Sequence, residues 1–193
     1  MTRESKYPKL QKMFLDRWSP RSFLSDAISA EDAATLFEAA RWSPSCFNDQ
    51  PWLFLYARNE SADDHNRFAS ALVEGNRVWA ANAPLLAFAF ARRTFAHNGK
   101  PNAWAEFDSG AAWMALCLQA HTMGFSCHGM GGIDADKAHE ATGVPKETHR
   151  AICGIAVGRK GDPAGLPEAL REREGPSDRR PLDEIAMEGR FRS

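Results

Sequence analysis

Residues 38–54 read Glu-Ala-Ala-Arg-Trp-Ser-Pro-Ser-Cys-Phe-Asn-Asp-Gln-Pro-Trp-Leu-Phe, and they hold a helix end, a polar loop and a strand start in succession. Upstream, Ser29 and Asp32 have the S-x-x-D spacing of a capping box. Leu36, Phe37 and Ala40 then make an apolar face, which predicts a helix from about Ala30 to Trp42. Ser43-Pro44-Ser45 ends it, because proline has no backbone N–H to continue the ladder. Downstream, Trp52 to Ala57 is short, aromatic and apolar, the pattern of a buried strand. A loop between such elements lies at a layer edge, where ligands usually bind. Ser45, Asn48 and Gln50 offer neutral donors and acceptors that suit the amide edge of a heterocycle. Ordinary turn chemistry explains the same residue types.

Working outward, a polar helix is predicted from about Ala62 to Val73, followed by a turn at Gly75-Asn76 and a buried strand from Leu85 to Ala91. Residues 93–103, with Asn98-Gly99 and Pro101, read as a loop. Trp104 to Met123 is the longest helix, apolar on more than one face and therefore central, with Gly124 placed to end it. A short strand over Phe125 to His128 leads into the glycine turn 129–132, and Asp134 caps a small helix reaching about Thr142. Ala151 to Val157 is a third apolar strand. From Arg159 to Arg180 the chain is polar and rich in proline, glycine and charge, whereas Leu182 to Phe191 is too apolar for a solvated tail. That last segment is best used against something outside its own core, such as a second subunit. Helices alternating with buried strands predict a layered α/β or α+β domain.

Composition narrows the function. A net charge of −1 gives no broad attraction to nucleic acid or anionic membranes, so any bound anion needs a local basic cluster. The four cysteines form no C-x-x-C pair and the six histidines never take metal-ligand spacing, so neither a disulfide scaffold nor a metal site is expected. Reduced thiols and an N-terminus without the apolar core of a signal peptide point to the cytoplasm. The longest apolar run, Ala83 to Ala91, is far below the roughly 20 residues of a membrane helix.

Three further segments carry candidate chemistry. In Asp16-Arg-Trp-Ser-Pro-Arg-Ser-Phe23, Arg17, Ser19 and Arg21 alternate, so an extended backbone projects them to one side. Two guanidiniums and a hydroxyl suit a phosphate, though a solvated basic turn has the same composition. His128-Gly-Met-Gly-Gly-Ile-Asp134 is not a G-x-G-x-x-G fingerprint, but its glycines let backbone N–H groups approach a flat ligand, as they would also serve a plain turn. Pro176-Ser-Asp-Arg-Arg-Pro181 is basic and rigid, and taken singly its arginines are surface charges.

The order of these segments is more distinctive than any one of them. The Arg-x-Ser-x-x-Phe-like start, the Ala-Ala-Arg-Trp-Ser-Pro-Ser-x-Phe-Asn-x-Gln-Pro-Trp loop, the glycine turn after a long helix and a terminal Arg-x-Pro-Leu-x-Glu-Ile together resemble the nitroreductase family of FMN enzymes along nearly the whole chain. The His128-x-Met130-x-Gly132 pattern, Gly161-Asp-Pro163 and the Arg-Glu-Arg-Glu run at 171–174 are similar to a general nitroreductase subgroup. The resemblance implies an α+β fold with a mostly antiparallel central sheet flanked by helices. It implies one domain over 1–193, of which about 159–193 is a C-terminal extension that embraces a partner in a homodimer.

It also implies roles. Arg17, Ser19 and Arg21, joined by Arg179, would bind the FMN phosphate and ribityl chain. Pro44, Ser45, Cys46, Asn48 and Gln50 would come from the other subunit. Met130, Gly131 and Gly132 would lie by the isoalloxazine. NADH or NADPH would donate hydride, a small-molecule acceptor such as a nitroaromatic or quinone would receive electrons, and no side chain would serve as general acid or base. Trp104 and Phe107 are candidate walls of the substrate channel. Rival readings are a flavin carrier or sensor without turnover, and a specialised flavin dehydrogenase or dehalogenase. Many relatives have an acidic residue at the position of Gly131. Some have a lysine or asparagine after the second helix, where only Asn76 and Arg77 stand nearby, and Cys46 replaces the usual serine or alanine.

Overall fold

A computed structural model describes residues 3–191. Four strands form one antiparallel sheet in the order β1-β2-β4-β3: β1 (Trp52–Arg58), β2 (Leu85–Arg92), β3 (Ser126–Met130) and β4 (His149–Gly158). Helices cover both faces, so the architecture is α+β with an open antiparallel sheet. Strand β2 explains why its sequence runs apolar without alternation. Leu86, Phe88 and Phe90 point to one core with Phe68, Trp79 and Ala138, while Leu85, Ala87 and Ala89 point to a second core with Leu36, Ala112 and Leu116. A strand buried on both faces needs apolar residues at every position.

The second core is built by α2 (Ala30–Arg41) and α5 (Ala105–Thr122). Ser29 caps α2 by accepting the Asp32 N–H, and Ala33, Leu36 and Ala40 face inward. Along α5 the buried positions Ala105, Asp108, Ser109, Ala112, Leu116 and Ala120 make one stripe. At 3.6 residues per turn, Phe107, Gly110, Ala111, Met114 and Leu118 fall on the opposite stripe, and all are exposed or half-buried. Gly124 adopts φ +77° after the helix, the left-handed conformation that glycine tolerates.

The predicted helix from Ala62 to Val73 is divided in the structure. Helix α3 (Ala62–Ser70) stops where Ala71 and Leu72 turn inward, and α4 (Glu74–Ala80) starts where a turn was expected. The cause is tertiary: the Asp134 N–H donates to Ala71 O, the Val73 N–H donates to Gly132 O, and Leu72 bridges Ile133. These bonds replace the helical ladder, and burial of Trp79 secures the new helix. The strand after the long helix extends to Met130 because Gly129 and Met130 pair with Ile155 and Gly154, so the glycine turn begins later than predicted. Asp134 caps α6 (Ala135–Thr142) by accepting the Lys137 N–H, as its spacing predicts.

Three further short α-helices lie outside these layers. They are α1 (Met13–Asp16) before the sheet, and α7 (Glu168–Arg171) and α8 (Leu182–Ile185) after it. After β4 the chain runs back to the segment around Arg21, where the Gly161 N–H donates to Ser22 O and the Ser22 hydroxyl donates to Asp162 O. Beyond Pro181 the apolar residues Leu182, Ile185 and Phe191 are exposed. Among the described residues no helix is long and apolar enough to cross a membrane.

Candidate functional site: an arginine-lined cavity at one sheet edge

The segment 17–21 lies against the outer strand β3. It is held there by His128, whose Nδ1 is 2.8 Å from Pro20 O and whose ring packs on Trp79 at 4.6 Å. Arg17, Ser19 and Arg21 all line one cavity of about 440 Å³. Arg179, arriving from the other end of the chain, lines the same cavity, whereas Arg180 lines a neighbouring groove. Arg17 Nη1 lies 3.4 Å from Ser19 Oγ, so guanidinium and hydroxyl present donors side by side. The three-way convergence of Arg17, Arg21 and Arg179 is thus a property of the fold.

Arg3, Trp18, His128, Arg173, Gly175 and Ser177 also line this cavity, and none was a site candidate from sequence. Arg3 carries no local signal, and Arg173 lies in the Arg-Glu-Arg-Glu run at 171–174, which by itself assigns no ligand contact. Burial, and then the guanidiniums of Arg179 and Arg17, draw Arg3 below the ordinary arginine value. Five guanidiniums share the cavity, and a buried carboxylate, Glu174, stands beside one of them, 3.7 Å from Arg21 Nη1. Asp178 tempers Arg3 from outside. Burial lowers the His128 value below the usual histidine range and the Arg21 charge adds to this, so its ring is neutral near pH 7. The excess positive charge suits a dianion, and Arg3 Nε is buried without a hydrogen-bond partner.

The glycine turn adjoins this edge. The Met130 side chain is buried in the core against Leu72 and Gly154, so only its backbone is available to a ligand. Gly131 is exposed, and a Cβ there would meet nothing within 4 Å. Gly132 is closely packed, because a Cβ would come within 2.6 Å of Asn76 Nδ2. Asn76 itself donates to Gly132 O at 3.0 Å, which places it beside the turn. Gly129 accommodates the Trp113 ring, 2.8 Å from where its Cβ would stand.

The loop 44–50 lies elsewhere. It enters β1, at the opposite edge of the sheet from β3, three strand spacings or about 14 Å away. Pro44, Ser45, Cys46, Asn48 and Gln50 therefore do not meet the arginine cavity within one chain. The loop is firmly built. Ser45 Oγ accepts the Gln50 N–H at 2.9 Å, and buried Asp108 accepts the Cys46 N–H at 3.0 Å. Phe47, Asn48 and Gln50 all have positive φ, between 49° and 55°. Left-handed backbone at three non-glycine residues is strain of the kind stored at functional sites.

Asp49, between them, is the anchor. Its carboxylate, 1% exposed, accepts from Arg92 at 2.8 Å, from the Ala96 N–H at 2.8 Å and from Asn102 at 3.1 Å. Burial pushes its value up, but these hydrogen bonds outweigh it and leave Asp49 below the usual carboxylate range. It ties the loop to the 93–104 segment, where Phe47 stands 79% exposed against Phe95 and His97. Trp104 and Phe107, also exposed, pack edge to face at 6.4 Å nearby in sequence. Among the described residues no cluster of His, Cys, Asp and Glu could hold a metal ion.

Comparison with known proteins supplies the context. A family model described as the nitroreductase family matches residues 15–159. A solved structure described as an oxidoreductase containing FMN is 45% identical with a TM-score of 0.93, over 98% of this chain and 96% of its own. A provisionally named nitroreductase from Desulfovibrio desulfuricans, solved in complex with FMN, is 25% identical with a TM-score of 0.74, over 97% of this chain and 100% of its own. A relative from Streptomyces coelicolor, provisionally named NADH dehydrogenase/NAD(P)H nitroreductase, is 25% identical over 183 residues, covering 82% of this chain and 89% of the relative.

Proposed function

The chain belongs to the nitroreductase family, and from that premise we propose that it is an FMN-dependent NAD(P)H oxidoreductase working by a ping-pong cycle on nitroaromatics, quinones or similar acceptors. The observation that carries this reading is the cavity in which Arg17, Ser19, Arg21 and Arg179 converge from opposite ends of the chain. Its donor set fits a phosphate monoester, since guanidiniums and hydroxyls are all donors and their charge exceeds that of Glu174. When bound, FMN supplies the hydride chemistry at its N5, accepting from NADH or NADPH and passing electrons to the acceptor that follows.

The residues of this chain bind and orient. Arg17, Ser19, Arg21 and Arg179 hold the phosphate end, and the backbone of Met130, Gly131 and Gly132 faces the ring. No side chain is assigned as a general acid or base. Pro44, Ser45, Cys46, Asn48 and Gln50 serve the site of a second copy, which is why they stand at the far sheet edge here. The apolar stripe Phe107, Gly110, Ala111, Met114 and Leu118 on α5 supports a homodimer, as do exposed Leu182, Ile185 and Phe191 on an extension that embraces the partner. Trp104 and Phe107 wall the substrate channel. The four free cysteines fit a reducing cytoplasm.

The test is optical. The purified protein should be yellow, and should consume NADH or NADPH only when a nitroaromatic or quinone is added. A yellow protein that neither nicotinamide bleaches is a carrier instead. A colourless protein that cannot be loaded with FMN defeats the reading altogether.

A further inference from the structure

Arg3 lies outside the segment matched by the family model, yet its side chain is built into the arginine cavity. One nitrogen, Nη1, donates to Leu15 O at 3.1 Å and to Arg17 O at 2.8 Å, which fastens the N-terminal segment to the start of the 17–21 segment. That leaves Nε and Nη2, the paired edge through which a guanidinium grips two oxygens of one anion. Nε is buried with no partner. Leaving a buried donor unpaired is costly, and here the cost falls on a group already crowded by Arg17 and Arg179. An anion in the cavity would relieve both.

Resting on the function proposed above, we propose that Arg3 is a further binding residue for the cofactor phosphate, and that the phosphate thereby ties the N-terminal segment to the body of the protein. Three parts of the chain then meet at one anion: Arg3, the 17–21 segment, and the returning arm with Arg173 and Arg179. Phosphorylated flavin would close this junction. Riboflavin, which has the same ring and no phosphate, would leave it open.

The experiment measures flavin release from the loaded protein by recovery of flavin fluorescence on dilution, comparing FMN with riboflavin for wild type and for Arg3→Ala, Arg3→Gln, Arg3→Lys and Arg179→Ala. One charge-assisted hydrogen-bonding group removed from the phosphate should speed FMN release by about 10-fold or more. Riboflavin release should change by less than about 2-fold. Arg3→Lys should recover part of the FMN affinity, and Arg3→Gln, which keeps a donor for the Leu15 and Arg17 carbonyls but no charge, should not. Hydrogen exchange over residues 3–17 gives a second readout: FMN should protect these amides and riboflavin should not.

Equal effects of the Arg3 changes on both flavins, or none on either, would overturn the proposal. Arg179→Ala separates the two readings. If it weakens FMN selectively while Arg3→Ala does not, the phosphate site stands and only the role of Arg3 falls. If neither change discriminates the flavins, the phosphate lies elsewhere and both fall.

Discussion

Glu174 reaches back across 153 residues of chain to accept the Arg21 N–H at 2.7 Å, and the same oxygen accepts the Ser22 N–H at 3.0 Å. The carboxylate is 3% exposed. It fixes the backbone of the arginine segment while lying beside the Arg21 guanidinium, so it both builds the cavity and competes with an anion for it.

Those two roles separate by substitution. Glu174→Ala leaves two part-buried N–H groups without an acceptor, and should cost about 1–3 kcal/mol in urea unfolding. It should also speed FMN release. Glu174→Gln keeps an accepting oxygen and removes the competing charge, so it should retain FMN at least as well as wild type. A Gln variant as leaky as the Ala variant would mean that the charge, not the acceptor, organises the segment.

Acid should loosen the loop that Asp49 anchors. Its folded value is depressed, so its contribution is fully present above the ordinary aspartate value of about 4 and is lost as pH falls through the folded value. Cleavage of the 93–104 segment by papain, which is active from acid to neutral pH, should rise in that acid range. Asp49→Ala strips Arg92 of its buried partner and should cost on the order of 3 kcal/mol at neutral pH. Cleavage in the variant should be fast already at pH 7 and nearly independent of pH.

Phe47 is left-handed and largely exposed, an arrangement unfavourable to backbone and side chain alike. Phe47→Gly should raise stability by up to about 1 kcal/mol, because the strained conformation is natural for glycine. The same change should raise the Michaelis constant for an aromatic acceptor. Gained stability with unchanged kinetics would place the ring outside the substrate path.

Two glycines, two residues apart in the strand-to-turn region, should behave oppositely. Gly129→Ala drives a Cβ into Trp113 and should destabilise by about 1–3 kcal/mol. Gly131→Ala meets open space, so melting temperature and flavin content should stay near wild type.

Much of this chain was legible locally. The Ser29 and Asp134 caps, the stop at Ser43-Pro44-Ser45, and the buried strands announced themselves because each depends on neighbours a few residues away. The split between α3 and α4 did not, since it depends on Ala71 and Val73 bonding to residues 132–134. Arg17, Ser19, Arg21 and Arg179 were singled out from segment order, and the structure brings them to one cavity. Arg3 was missed for want of any pattern around it, and Arg173 and Glu174, though part of the Arg-Glu-Arg-Glu run at 171–174, because that run does not say which residues face the cavity.

By itself, the sequence determined most of the elements, the burial of β2, and the residue types suited to a phosphate. Tertiary structure decided where positive charge accumulates and which carboxylate stands beside it. It also set the loop at 44–50 on the opposite edge from the arginines. The reason is physical: propensities and caps act over one or two turns of chain, whereas a charge cluster exists only after segments more than 150 residues apart have been packed against the same strand.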